Sequence, residues 1–372
     1  MKKTVMAAVV VGALAAPAMA FAQTQIYGYF NAEWAARATQ PNTAAGAARH
    51  NAEAFNSSAS YIGFRGEEKL GDGLSGWYQC ETELGIFPRA AGQSLDGTGV
   101  VWCDRNSAAG VKGSYGNFYV GTWDSPLRRA SNLTRITNLA GWLGSEGITL
   151  RAGEGSPDMS NRNTDTFNYD TPNFGGFSLS VQTTTLQRTV DAPASGVAKG
   201  RRSTLGGQFA TGPVMLVAAY AVKTDNRASG GTTSSKDEGM LVGATYVLGD
   251  LKVGAQITNR KADDGAGTTG ERKGANLAAE YRISGAHTIR GGIAKANKLT
   301  GSAAGAGTGG ARQAQASYLY SFSKSTTASV SVINLKNDSN GTFNFTDLVA
   351  GPADVQTGES MNALVLGLHL RF

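Results

Sequence analysis

The stretch Ala363-Leu364-Val365-Leu366-Gly367-Leu368-His369-Leu370-Arg371-Phe372 decides the fold. Leu364, Leu366, Leu368, Leu370 and Phe372 share one parity; Ala363, Val365, Gly367, His369 and Arg371 share the other. A helix would scatter those leucines around its circumference, whereas successive side chains of a strand point to opposite faces. The segment therefore reads as a strand with one apolar and one wetter face. Working outward, Leu251, Val253, Ala255 and Ile257 alternate with Lys252, Gly254, Gln256, Thr258 and Arg260. Phe177, Leu179 and Val181 alternate in the same way with Ser178, Ser180 and Gln182. Ile26 to Trp34 opens the series with Ile26, Phe30 and Trp34 outward and Tyr29, Asn31 and Glu33 inward, and the same parity carries Arg37 inward.

The connections fall into two lengths. The short ones are Gly71-Asp72-Gly73, Ser114-Tyr115-Gly116, Pro172-Asn173-Phe174-Gly175, Gly212-Pro213, Gly249-Asp250, Ser284-Gly285-Ala286 and Ser323-Lys324-Ser325, all of hairpin composition. Between them lie long Gly-, Ser-, Thr- and Ala-rich stretches, including Gln40 to Ala54, Ala262 to Arg272, Leu299 to Gly310 and Asn337 to Gly358. Alternating strands joined by short turns on one side and long loops on the other are the pattern of an all-β, antiparallel transmembrane barrel. Counting between connections gives about sixteen strands, enough to enclose water, and an even number puts both termini on one side. Trp34, Tyr61, Tyr169, Tyr281 and Phe372, near strand ends, are expected in aromatic girdles. A soluble sandwich or propeller fits the two-length connections poorly.

Composition agrees. With 50 Gly, 2 Cys, 9 Pro, 41% hydrophobic residues and a mean hydropathy of −0.21, the chain has no massed apolar core, and a barrel needs apolar residues on its lipid face alone. Lys2 and Lys3, the apolar run Val5 to Ala16 and the small residues Ala18, Ala20 and Ala22 read as a secretory signal, expected over 1–22, with the barrel over 23–372. That run is too short to cross a bilayer as a helix. The formal charge is +6, and removing Lys2 and Lys3 leaves roughly +4, a modest excess without the basic, aromatic-interleaved tract of a nucleic-acid groove. In an exported chain Cys80 and Cys103 are more often a disulfide than a metal or redox site, although Cys80 has outward parity.

Read in order, several segments resemble the trimeric Gram-negative porins, particularly the anion-preferring type of beta-proteobacteria, over essentially the whole mature chain. They are Ile26-Tyr27-Gly28, Tyr61-Ile62-Gly63-Phe64-Arg65-Gly66-Glu67-Glu68 with Leu70-Gly71-Asp72-Gly73-Leu74, Gln79-Cys80-Glu81, Asn117-Phe118-Tyr119-Val120-Gly121, Tyr169-Asp170-Thr171-Pro172-Asn173-Phe174-Gly175-Gly176 and Leu370-Arg371-Phe372. The resemblance implies a water-filled outer-membrane channel for passive diffusion of small hydrophilic solutes and ions, moderately anion-preferring, in a homotrimer. It also implies outer-membrane lipid and lipopolysaccharide as surroundings, and barrel-assembly machinery acting through Phe372.

In that family the third long loop folds inward and faces a cluster of wall arginines. The corresponding stretch, Asp124 to Ser160, is the longest interval between strands and carries Asp124, Arg128, Arg129, Arg135, Glu146 and Arg151, with Glu154 and Asp158. The wall cluster maps onto Arg105 and Arg162 by local motif. Parity separately puts Arg105 inward with Ser107, and Arg162 inward with Thr164 and Thr166. The third family arginine is Tyr61 here, a departure that weakens anion selectivity, while Arg37 and Arg65 share inward parity and partly replace it. Glu33, Glu81 and Glu83 are the inward acids nearby.

Other chemistries find little support. His50 lies in a loop, His287 beside a turn and His369 near the C-terminus, so no nucleophile and base are expected from neighbouring strand ends. Histidine, cysteine and carboxylates do not fall at metal-site spacing, no phosphate-cradling loop opens a helix, and no cofactor is implied. The competing reading is a structural or adhesive barrel with a closed lumen.

Overall fold

The structure, a computed structural model, describes residues 24–40, 51–57, 59–85, 87, 101–136, 144, 146–150, 159–185, 187–188, 199–224, 235–265, 267–302, 307–345 and 357–372. The expected signal segment, His50, Arg151, Glu154 and Asp158 lie outside the described residues.

The strands are β1 (Gln25–Gln40), β2 (Asn51–Asn56), β3 (Tyr61–Gly71), β4 (Leu74–Glu83), β5 (Ser107–Gly113), β6 (Gly116–Asp124), β7 (Arg162–Asp170), β8 (Phe177–Thr184), β9 (Gln187–Arg188) and β10 (Lys199–Thr211). They continue with β11 (Val214–Thr224), β12 (Lys236–Leu248), β13 (Leu251–Asp263), β14 (Thr269–Arg282), β15 (His287–Ala296), β16 (Thr300–Gly301), β17 (Ala311–Ser321), β18 (Thr326–Asn337) and β19 (Ser360–Arg371). Two helices, α1 (Pro126–Thr134) and α2 (Glu146–Thr149), interrupt the series between β6 and β7. Every pairing is antiparallel and β1 closes on β19, so the sheet has no free edge. β2 continues β3 along β1, β9 continues β8 along β10, and β16 continues β15 along β14, which leaves sixteen staves.

All seven short turns fall where hairpin chemistry placed them. At the first, Gly71, Asp72 and Gly73 all have positive φ, the region that glycine and aspartate tolerate best. The start of β1 and the end of β19 lie on this side, where the Gly28 amide donates to the Phe372 carbonyl.

Alternation sorts the wall as expected. Ile257 and Ile293 are 58% and 61% exposed on the outer face, whereas Val365 is fully buried on the inner one. Trp34, Tyr169, Tyr281 and Phe372 point outward. Tyr61 does not belong to that girdle: it faces inward beside Tyr27 and Tyr29, on a rung whose outer positions are Ile62 and Phe64.

Two buried apolar clusters lie inside the barrel, which period-two reasoning does not anticipate. One joins Leu127, Ala130, Leu150 and Met159 of the third loop to inward-facing Val217, Ala219, Ala221 and Leu241. The other joins Ile148 of α2, and Phe343 and Phe345 of the loop after β18, to Ala294, Ile333, Leu335 and Met361. That last loop is therefore partly an inward-packed element. Arg272 holds it, with its guanidinium 5.0 Å from the Phe343 ring centroid while donating to the carbonyls of Gly307 and Gly309.

Cys80 and Cys103 are bonded, with Cα atoms 4.8 Å apart. Outward parity is no obstacle, because Cys103 precedes β5 and lies on the outer side as well: its amide donates to Thr82 Oγ1, and neighbouring Trp102 packs against Phe64. Alkylation followed by mass spectrometry without reductant should find no free thiol in the secreted protein. Two labelled cysteines would overturn the pairing.

Candidate channel constriction

The third loop enters the lumen because of how α1 is built. Ser125 caps its N-terminus by accepting from the Arg128 amide, Pro126 occupies the first turn, and the chain returns to extended geometry at Arg135. Leu127, Ala130, Ser131 and Thr134 are buried at the i, i+3, i+4, i+7 spacing of one helical face. That face lies on the inner wall of β10 to β13. The wall is cut to receive it: a Cβ at Gly206 would come within 2.8 Å of Pro126 Cβ, and one at Gly243 within 2.8 Å of Thr134 Cγ2. Thr134 donates to Gln256 Oε1 at 2.8 Å, and further along Thr258 donates to the Thr149 carbonyl at 3.0 Å.

Where the loop leaves and rejoins the wall, charges converge. Arg128 Nε and Arg162 Nε lie 3.3 and 3.2 Å from Asp124 Oδ1, and Arg162 also donates to Asn106 Oδ1 at 2.9 Å. Arg105 pairs with Glu83 at 3.4 Å and Glu81 at 3.9 Å, and its guanidinium stands 5.0 Å from the Tyr61 ring centroid. Tyr27 donates to Glu81 Oε1 at 2.9 Å, and Arg65 lies over the Tyr27 ring while donating to Gln25. Three guanidinium and three carboxylate groups thus form one partly buried, charge-balanced cluster.

Arg105 and Arg162 both join this cluster, but parity is not the reason. On β5 the inner residues are Ala108, Gly110 and Lys112, and Ser107 belongs to the outer parity, opposite Thr122. Arg105 precedes the strand in a bend, so alternation does not govern it. On β7 a register shift opposite Gly121 and Trp123, with Asp165 at φ 53°, breaks the count; Asn163, not Thr164, joins the inner face, where it donates to Gln182. Arg162 then reaches the cluster from the strand end.

The other expected residues divide. Arg129 forms a two-point pair with Asp170 at 2.8 and 3.1 Å, which ties α1 to β7. Arg135 is buried at the end of α1 and donates to Asn132. Glu33 and Arg37 face inward and are buried, but Arg37 stands eight residues along β1 from Tyr29, roughly 26 Å of strand, and is not brought to the Arg105 cluster. Glu146 begins α2, and its side chain lies outside the described residues.

Sequence reasoning missed three features. The Asp124–Arg128 pair is an i,i+4 match that its spacing could have revealed. Tyr27 and Glu81 sit on non-consecutive strands, and only the pairing register connects them. Ser329 and His369 also meet, Oγ to Nε2 at 2.9 Å, with the other ring nitrogen 3.1 Å from Tyr29 Oη, where no nucleophile and base were expected from neighbouring strand ends.

A family profile described as Gram-negative porin matches residues 7–340. The chain belongs to that family. The porin is 28% identical over 265 residues to outer membrane porin protein 32 of Delftia acidovorans, covering 70% of each chain. Its fold matches the anion-selective porin from Comamonas acidovorans at a TM-score of 0.74 and 20% identity, over 94% of this chain and 100% of that one. It also matches the trimer form of OmpT from Vibrio cholerae at 0.67 and 14%, over 94% and 99%. The barrel is thus an outer-membrane channel for small solutes.

Proposed function

We propose that this porin passes small hydrophilic solutes and inorganic ions by passive diffusion with a mild preference for anions. The observation that carries the reading is the convergence of Arg105, Arg128 and Arg162 where the third loop leaves and rejoins the wall. Guanidinium groups lining a low-dielectric constriction lower the barrier for anions, and the interleaved Glu81, Glu83 and Asp124 keep the preference modest. The anion-selective Comamonas porin, alike in fold, supports the same direction. The working unit is a homotrimer, as the trimer form of OmpT suggests, residues 1–22 direct export, Phe372 serves barrel assembly, and lipopolysaccharide surrounds the outer rim.

The lumen serves permeation and not catalysis. Among the described residues the Ser329–His369 pair has no carboxylate behind the imidazole, which meets Tyr29 instead. Ser329 lies on β18 between two partner strands, so ladder bonding uses the nearby amides that an oxyanion would need.

Planar-bilayer recording tests the reading: purified protein should give stepwise ohmic conductance in units of three, with a zero-current potential on the anion side in dilute chloride gradients. A folded protein that inserts without conducting would instead support a closed structural barrel.

A further inference from the structure

On the short-turn side of the charge cluster, the inner wall of β3, β4 and β5 carries side chains that the cluster does not use. Trp77 stands four residues from Glu81 along β4, about 13 Å of strand. Its indole crosses β5 at Gly110, where a Cβ would come within 2.8 Å of Nε1, and Nε1 donates to Asn117 Oδ1 on β6 at 2.7 Å. Tyr119 and Trp123 hold the ring from the side, with centroids at 5.4 and 5.8 Å. The indole is thereby fixed against the wall, and with Gln25, Arg65, Glu67, Gln79 and Lys112 it lines a hollow of about 400 Å³. Ligand pockets span roughly 300–1,000 Å³, so the space suits a solute with a single ring.

The charged groups of the hollow are not equivalent. Glu67 is fully engaged, with Lys112 Nζ 2.7 Å from one carboxylate oxygen and Lys69 Nζ 3.1 Å from the other. Arg65 is the diagonal neighbour of Trp77 across the β3–β4 pair, a separation of about 7–8 Å that long side chains bridge. The Tyr27 ring lies across Gly63, where a Cβ would come within 2.6 Å of it, and the Arg65 guanidinium stands 4.8 Å from its centroid. Arg65 Nε donates to Gln25 Oε1 at 2.9 Å. These contacts orient the guanidinium and use its Nε and one face. Among the described residues its two terminal nitrogens meet no carboxylate. Arg65, Lys69 and Lys112 against Glu67 leave a local charge of +2.

A fixed aromatic ring beside an oriented guanidinium narrows the solute. An inorganic anion would meet Arg65 and leave Trp77 unused, and a neutral sugar would stack on Trp77 and leave Arg65 unused. An amino acid would need an acceptor for its ammonium group, and both oxygens of Glu67 are already taken by lysines. We propose that the hollow binds small aromatic carboxylates as they pass, the ring stacked on Trp77 and the carboxylate paired with the terminal nitrogens of Arg65. Guanidinium–carboxylate pairs are directional two-point contacts and ring stacking adds to apolar burial, so the two together retain a solute that neither would hold alone. The inference rests on the channel reading and deepens it by adding a class of solute.

The test uses the full-length protein in planar bilayers, with conductance in potassium chloride read first and benzoate then added to both sides. Benzoate should reduce the ion current reversibly and with saturation, whereas acetate, benzamide and glucose should need at least about tenfold higher concentrations. Arg65→Gln and Trp77→Leu should each raise the half-blocking concentration of benzoate about tenfold, and Trp77→Phe, which keeps a ring, should raise it less. Saturation-transfer NMR on the benzoate ring protons, with the protein in mild detergent, reads the same contact without conduction and should lose its signal in Trp77→Leu. Should that variant fail to fold, Arg65→Gln, at an exposed side chain, carries the comparison. Equal block by acetate or benzamide would overturn the subsite, as would a half-blocking concentration unchanged by the variants. Equal block by glucose would overturn it by assigning the hollow to neutral sugars. A protein that conducts but shows neither block nor saturation transfer loses the subsite and keeps the channel reading. One that shows saturation transfer without conducting loses the channel reading and keeps the site.

Discussion

In a dilute potassium chloride gradient, the Arg105→Ser, Arg162→Ser double variant is expected to reverse the sign of its zero-current potential, from mildly anion-preferring to cation-preferring. Three guanidinium groups face three carboxylates in the native cluster; after substitution Arg128 alone opposes Glu81, Glu83 and Asp124, a net charge of −2. The effect exceeds the loss of two positive charges because each arginine also masks an acid. Glu81 keeps its bonds from Tyr27 and Gln79, so the wall should not collapse. Screening lengths of roughly 8–10 Å at ordinary salt mean the reversal should be largest in dilute electrolyte and shrink as salt rises. Glu81→Gln, Glu83→Gln should move the potential the other way. A folded double variant with an unchanged potential would remove these arginines from the filter.

The barrel was legible in the sequence because its lipid face is selected one residue in two, and that period survives along Leu251 to Ile257 and Leu364 to Leu370 whatever the lumen holds. The turns were legible because their dihedrals demand particular residues. The constriction was less so. Parity is a property of paired strands, and Arg105, Asp124 and Arg162 all lie where pairing ends or a bulge intervenes. Arg37 has clean parity, yet its position along β1 places it far from the cluster, since a period of two fixes the face and not the height. The inner-wall apolar patch did leave a mark: Met240-Leu241-Val242 and Val214-Met215-Leu216-Val217 interrupt the alternation, as strands covered on both faces do. What covers the inner face, the helix α1, could be placed only once the chain had closed.

That patch leads to the last expected result: a Leu127→Asp, Leu150→Asp variant should free the third loop from the wall, raising unit conductance and removing the anion preference together. Both leucines are fully buried against Val217, Ala219 and Leu241. Removing two such side chains forfeits about 3–6 kcal/mol of apolar burial, and each introduced carboxylate would have to lose its water to stay. Every 1.4 kcal/mol or so changes a population tenfold, so the inward position should become the minor one. The Arg129–Asp170 pair remains, but one partly exposed ion pair contributes only about 0–1 kcal/mol. The barrel itself should persist, because closure between β1 and β19 and the lipid-facing residues do not involve the loop. Limited proteolysis should then cut within 125–160 in the variant and spare wild type. A variant that stays protected, with native conductance, would show that the loop is held by its polar contacts, such as Thr134 to Gln256 and Thr258 to Thr149, and not by the apolar face of α1.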